Sequence, residues 1–431
     1  MNLKQTSSIY FLCSLTFFVF VIGFLIRDFE WFPYPIYVEA QEGWKQIQQN
    51  FNNKQSKWYV RIGNRHQNIN TDDAYEGLTL VTSTAANNTI SAKVINTEGE
   101  TIHQWNIDCF EMWPDANHIP EFLRPKAKPG AQIHGAEVTP DGGLVFNFDF
   151  LGLVRIDKDS QVVWRLPYMT HHSIHRHDDG NFWVSGRKFH TGPDPRLPHL
   201  KPPFFEDTVI EVTPDGEILR EWTVADMLKE SGYGSYLYMN ESGGSRLGGV
   251  EERGSGDIFH LNDVEPFSSQ LEPGFYETGD VMLSLRDINS IVIFNSETGK
   301  VKTVITGDFV KQHDPDFIDG NTITIFDNNN SKSQPKKSRI VEISAGKSGS
   351  KVIFEGAKDQ RFFSHIMGKH QWLPNGNLLI TDSMSGRGLE VDQKGNIVWQ
   401  YLNFVEKGTV GTVSEFTRLP VEYNKVFNSE R

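Results

Sequence analysis

Two cysteines in 431 residues, Cys13 and Cys109, are too few and too poorly placed for a disulfide framework. Their scarcity does not fix the redox compartment, because many exported proteins also lack cysteine. Clustered charge is missing as well. The net charge of −13 is spread without a long acidic or basic block. Nucleic acid is thereby excluded as a partner, since phosphate binding needs a concentrated cationic face. Long helical periodicity is almost absent beyond Glu76, which argues against a helical fold. There is no dinucleotide fingerprint and no nucleophile elbow. "SAGKSGSK" (Ser344–Lys351) looks like the end of a phosphate-binding loop, but Val341 stands where that pattern requires glycine. The segment also joins two strands, so it reads as a hairpin turn.

Long hydrophobic runs are also scarce, with one exception. "IYFLCSLTFFVFVIGFLI" (Ile9–Ile26) carries no charge over 18 residues, near the lower limit for a bilayer-crossing helix. Only a weak small-residue site, "VEA" at Val38–Ala40, follows it. Residues 1–30 are therefore expected to be an uncleaved signal-anchor, a single transmembrane helix that holds the rest of the chain outside the cytoplasm. Residues 31–75 form a juxtamembrane stretch, with interfacial aromatics in "WFPYPIY" and a short amphipathic helix near Ala40–Asn52.

From residue 76 to 431 the chain is written in β-strands. Short β-rich runs alternate with "PDGG", "DDGN", "PDGE", "IDGN" and "PNGN", and Asx-Gly pairs between alternating apolar runs are strong hairpin signals. The runs divide into six similar units, beginning near Gly77, His134, His171, His260, His313 and Lys369. The fourth strand of a unit often bears tryptophan: Trp105, Trp164, Trp222, Trp399. Six four-stranded units predict an all-β, six-bladed β-propeller. A sandwich or barrel does not account for the recurring position at the start of each unit. The Pro-, Gly- and Ser-rich segments Leu197–Glu206 and Tyr233–Asp257 read as lids or rims.

That recurring position is a histidine. His134, His172, His260, His313 and His370 each stand near the entry to a first strand, and first strands line a propeller's channel. Singly, each reads as a hydrogen-bonding loop or core residue. Together they predict one funnel in which five imidazoles converge as a binding or catalytic site. "HHSIHRH" (His171–His177) is a weak metal signal: its spacing falls on a strand, and no fixed carboxylate stands nearby. Neither a metal nor a cofactor is expected.

"HLND" at His260, "SLRD" around Arg286, "QHDPDFIDGNTITIFDN" at His313 and the closing "GKHQWLPNGNLLITDS" together resemble the arylsulfate sulfotransferase family. The resemblance spans most of the chain after about Gly77. It implies an enzyme that moves a sulfuryl group from an aryl sulfate donor to a phenolic acceptor through a sulfohistidine, without a nucleotide sulfate donor. His313 would be the nucleophile. Arg286 and His260 would hold the sulfuryl oxygens, and His172, or its neighbour His171, would complete the cluster. His134 and His370 would join His171 in binding substrate, and a homo-oligomer is compatible with the family. This sequence departs in two ways: Asp287 follows Arg286 where the family's better-known enzymes carry histidine, and the stretch from Arg286 to His313 is short, without room for donor-binding insertions. A non-catalytic propeller that binds an anion or a protein partner is the alternative; a quinone-dependent dehydrogenase propeller lacks its repeat signature here.

Overall fold

The Asx-Gly turns fold as their sequence dictates. Gly180 and Gly376 adopt φ of 89° and 82°, a left-handed conformation open to glycine at little cost, and each closes a tight antiparallel hairpin. The computed structural model describes residues 3–28, 58–62, 67–239, 256–330, 336–356 and 361–428, with side chains of the first helix described over 11–26. Two compact units result, Met1–Lys57 and Trp58–Arg431.

The second unit is all-β and almost wholly antiparallel. Sheet II runs from Ile133–Val138 through Leu144–Phe148 and Gly152–Ile156 to Val162–Leu166. Sheet III runs from Met169–Arg176 through Phe182–His190 and Phe204–Val212 to Ile218–Thr223. Sheet IV begins at Leu261–Pro266, sheet V at His313–Asp319 and sheet VI at Lys369–Trp372, each followed by three further strands in chain order. Sheet I is assembled from both ends of the unit: Val413–Arg418 pairs with Thr79–Ala85, which leads to Thr89–Ile95 and Thr101–Trp105. A small three-stranded sheet joins Tyr59–Arg61 to Phe404–Glu406 and Thr409–Gly411. Gly256–Asp257 adds a short parallel pairing to sheet III.

Apolar side chains fill the layers between consecutive sheets. Leu80 and Val94 of sheet I meet Phe146 and Val154 of sheet II. Similar layers join II to III, III to IV, IV to V and V to VI. A further layer, with Val81, Val413, Leu379 and Trp399, returns from VI to I. Central strands are consequently buried on both faces, as in Asp280–Leu285, and their sequences lose strict alternation. The arrangement is propeller-like, a ring closed by the C-terminal strand. Arg418 of that strand reaches Glu390 of sheet VI at 3.1 Å, both side chains buried. The four tryptophans do fall on fourth strands, with Trp105 and Trp399 fully buried. The segment Ser344–Lys351 is the predicted hairpin.

The N-terminal expectation requires correction. Leu3–Asp28 does form one α-helix and leaves Phe11, Phe17, Phe18 and Phe20 exposed. Among the described residues, however, no helix is long and apolar enough to cross a membrane. The expected helix near Ala40–Asn52 and most of the Tyr233–Asp257 loop lie outside the described residues. The β-rich unit also begins earlier than residue 76: Tyr59–Arg61 and Ile69–Asn70 already pair with its strands.

Candidate active site

The entry to each first strand is irregular where a site histidine stands. Pairing of first to second strand slips between Ile133 and Ala136 in sheet II, Thr170 and Ile174 in III, Leu261 and Asp263 in IV, and His313 and Pro315 in V. A bulge adds an unpaired residue and re-aims the side chain beside it. His172 and His260 take φ of 56° each, a left-handed backbone uncommon for side-chain-bearing residues and concentrated at functional sites. Sheet VI shows no such slip.

The bulged histidines converge. The His134 and His172 rings lie 4.1 Å apart, His171 and His172 4.9 Å, His172 and His260 4.9 Å, and His172 and His313 6.2 Å. Nδ1 of His171 and Nδ1 of His172 share a hydrogen bond of 2.7 Å. Asn147 ties two sheets together here. Its amide donates to the His172 carbonyl at 2.9 Å, and its oxygen accepts from the backbone N–H groups of His134 and Gly135. A Cβ on Gly135 would stand 2.1 Å from that same carbonyl, so only glycine lets the strands approach this closely.

His313 is held in one tautomer. Asn328, wholly buried, donates through its amide nitrogen to the carbonyls of Ser364 and Met367 at 2.9 and 2.6 Å. Its oxygen must then face His313 Nδ1, 2.6 Å away. The Lys311 carbonyl also accepts, at 3.2 Å. Nδ1 is therefore the N–H donor and Nε2 carries the lone pair, turned toward the Met367 backbone N–H at 3.2 Å. Burial, followed by the Arg286 guanidinium, holds the His313 pKa well below the ordinary histidine value. Burial and neighbouring imidazoles, His134 first, do the same for His172. For His171 the causes are burial and then Arg187. These rings are neutral near pH 7.

His260 is clasped by one carboxylate. Asp257 accepts from its backbone N–H at 2.9 Å and bonds its Nδ1 at 2.8 Å. Arg286 opens the short turn Arg286–Ile288 between the second and third strands of sheet IV, and its backbone N–H meets the His260 carbonyl at 3.2 Å. Asp287, buried beside it, contacts Arg286 Nη1 at 2.7 Å and Lys311 Nζ at 2.9 Å. Asp287 thus couples Arg286 to the segment leading into His313.

Six of the seven expected site residues are brought together: His134, His171, His172, His260, Arg286 and His313. His370 is not among them. Standing on the regular strand of sheet VI, it is sealed between Asp314 (Nδ1 to Oδ2, 3.0 Å) and Thr324 (Nε2 to Oγ1, 2.8 Å). His175 does have a fixed carboxylate, contrary to expectation: Asp263 of sheet IV lies 3.1 Å away. Asn328, Asp257 and Asn147 were not expected, because the sequence gives no signal for polar partners that meet across strands. His134, Asp149 and His172 offer ligand atoms within 4.8 Å of one another, as do His190, Asp194 and Glu206. The latter set is already occupied by Arg196, 2.6 Å from Asp194 and 2.9 Å from Glu206. Among the cluster's own side chains lies a small cavity of about 20 Å³ lined by His134, His172, Asn262, His313 and Lys369, room for about one water.

Replacing Asn328 by aspartate tests the tautomer assignment. A carboxylate on Nδ1 favours the imidazolium, so the pKa of His313 rises. The acid limb of the kcat/KM profile, which reports the free enzyme's essential base, is expected to move to higher pH in Asn328→Asp. An unmoved limb would remove Asn328 from the site.

The arylsulfotransferase (ASST) family model matches residues 135–404, more than half of the chain. A search of curated proteins gave no match. Among solved structures, a protein of unknown function from Bacteroides caccae is 14% identical with a TM-score of 0.49, covering 79% of this chain and 98% of its own. Virginiamycin B lyase from Staphylococcus aureus is 11% identical with a TM-score of 0.40, covering 81% and 89%. Likenesses at this level carry no functional argument.

Proposed function

Because the chain belongs to the arylsulfotransferase family, we propose that it is a six-bladed propeller enzyme that carries a sulfuryl group from a phenolic sulfate ester to a phenolic acceptor, by way of a sulfohistidine on His313 and without a nucleotide sulfate donor. The observation that carries this reading is the His313 environment: a buried, neutral imidazole beside the other site histidines, with Nδ1 committed to Asn328 and the lone pair left on Nε2, where only the Met367 N–H meets it.

In the first half-reaction Nε2 attacks sulfur, forming the S–N bond as the S–O bond to the aryl group breaks. The departing aryl oxygen takes a proton from a neighbouring imidazole. His260 is placed for this, its Nδ1 held by Asp257 and its Nε2 left to exchange the proton. In the second half-reaction the acceptor phenol returns a proton to that imidazole as its oxygen attacks sulfur, and the S–N bond breaks. No proton is gained or lost overall. Sulfuryl transfer resembles phosphoryl transfer, in which catalysis is mainly positioning and cationic stabilisation of the peripheral oxygens. Arg286 supplies a planar donor fork for them. The Met367 N–H, which donates to Nε2 in the resting site, becomes free to donate to a sulfuryl oxygen once Nε2 bonds sulfur.

Release of a coloured phenol from an aryl sulfate is the test. The expected outcome is release that depends on an added phenolic acceptor. Release without acceptor would mean hydrolysis, and no release under either condition would leave the binding module.

A further inference from the structure

The turn that carries Arg286 in sheet IV joins a second strand to a third, and it has counterparts in sheets I, II, V and VI. Each holds a residue with left-handed backbone: Asn87 and Asn88 in sheet I, Asn289 in IV, Asn329 in V and Gly386 in VI, with φ between 47° and 62°. Asparagine and glycine adopt this conformation at little cost. Sheet II places Phe150 there, at φ 61°. A bulky side chain in that region is a steric outlier of the kind concentrated at functional sites. Core packing does not account for it, because the ring is partly exposed and stands outside the apolar layers on either side of sheet II.

The contacts of this ring point to an aromatic ligand. The Phe150 backbone N–H donates to the Thr170 carbonyl at 2.9 Å, which fixes the turn to the strand bearing His171 and His172. The ring lies 5.2 Å from His171 and 6.2 Å from His172. The Arg187 guanidinium lies over it, 3.6 Å from its centroid, and 4.0 Å from that of Phe205. Arg187 is only 2% exposed, and its Nε and Nη1 have no hydrogen-bond partner among the described residues. A buried cation is ordinarily paired and hydrogen-bonded; this one is given to two aromatic faces, with Asp257, Asp149 and Asp207 favouring its charge from a distance. Burial lowers its pKa to about 10, so it stays cationic near pH 7. A cation over one face draws on the negative π-cloud of the ring, and so weakens the repulsion that opposes facial stacking of a second, electron-rich ring.

We propose that Phe150, backed by Arg187, is the platform on which the aryl group stacks, first the donor's and then the acceptor's, and that the pair selects electron-rich phenols. The inference rests on the arylsulfate reading. It adds a place for the ring, distinct from the imidazoles and the Arg286 guanidinium that take the sulfuryl group. Donor and acceptor use one platform in turn, so each excludes the other.

Calorimetric titration with 2-naphthol, which has no sulfuryl group to give, tests the platform apart from turnover. Phe150→Leu is expected to weaken its binding about fivefold, whereas Phe150→Tyr, which keeps the ring, should bind it nearly as wild type does. Inorganic sulfate, held by Arg286 and the imidazoles, should bind equally to all three, which separates loss of the platform from damage to the site. Phe404→Leu, at an exposed ring elsewhere, should change neither ligand. The wild type is also expected to favour 4-methoxyphenol over 4-chlorophenol, both neutral near pH 7, about threefold more strongly than Phe150→Leu does. The proposal is overturned if the wild type does not bind 2-naphthol, if its Kd is unmoved in Phe150→Leu, if sulfate and 2-naphthol are lost together, or if the preference between the two phenols is unchanged. Phenol binding that depends on Phe150 in a protein without transferase activity would refute the transfer reading and leave the platform standing.

Discussion

His313→Ala is expected to abolish aryl-sulfate-dependent transfer, lowering kcat by at least ~10⁴-fold, while the protein remains folded. The size of the effect follows from covalent catalysis: removing a nucleophile removes the stepwise route altogether, and no neighbour can take its place. His134 and His172 are close, but His134 Nδ1 meets Asp149 only at 3.4 Å, His172 Nδ1 is shared with His171, and His260, held by Asp257, is the proton donor of the same step. The structural cost is smaller. The substitution leaves the Asn328 oxygen without its ring partner, worth about 1–3 kcal/mol, while Asn328 keeps its two bonds to Ser364 and Met367. Circular dichroism and thermal unfolding should therefore show the native fold at a midpoint lowered by a few degrees. Transfer that survives in the folded variant would remove the covalent mechanism.

Arg286→Lys carries the second-largest expected effect, a 10²–10³-fold fall in kcat with a much smaller change in KM. That is the range seen when one preorganised transition-state donor is lost, about 2.7–4 kcal/mol. Charge is conserved, so the loss reports geometry: an ammonium cannot reproduce a planar fork on two sulfuryl oxygens. Asp287 sharpens the point. It holds Nη1 of Arg286 on one side and Lys311 on the other, so the guanidinium is oriented before substrate arrives. A lysine that restores full kcat would mean that Arg286 acts only as a diffuse positive charge.

Much of the β-rich unit was legible because its turns are local. An Asx-Gly pair between apolar runs encodes a hairpin within about ten residues, and the fourth-strand tryptophans mark the outer layers. Closure of sheet I was not legible. Val413–Arg418 pairs with Thr79–Ala85 across more than 300 residues, and nothing local announces it. The site divides in the same way. A histidine near the start of five of the six units marked the convergence, and four of those five positions do converge. His370 shares their position in the repeat but not their backbone: without a bulge, the regular strand carries its side chain toward Asp314 and Thr324. Bulges and left-handed residues such as His172 and His260 thus decide which imidazoles reach the cluster, and sequence pattern does not encode them. Asn328 escaped notice for a related reason: its meaning lies in two carbonyls from a loop 36 and 39 residues away.

The most direct test is to mix the protein with an aryl sulfate, omit the acceptor, quench, and search its peptides by mass spectrometry for one added sulfuryl group. The expected result is a single modification on His313, at Nε2, formed with a burst of one phenol per protein and discharged when a phenol is added. Label on another residue, or acceptor-dependent turnover with no label at any time, would contradict the account.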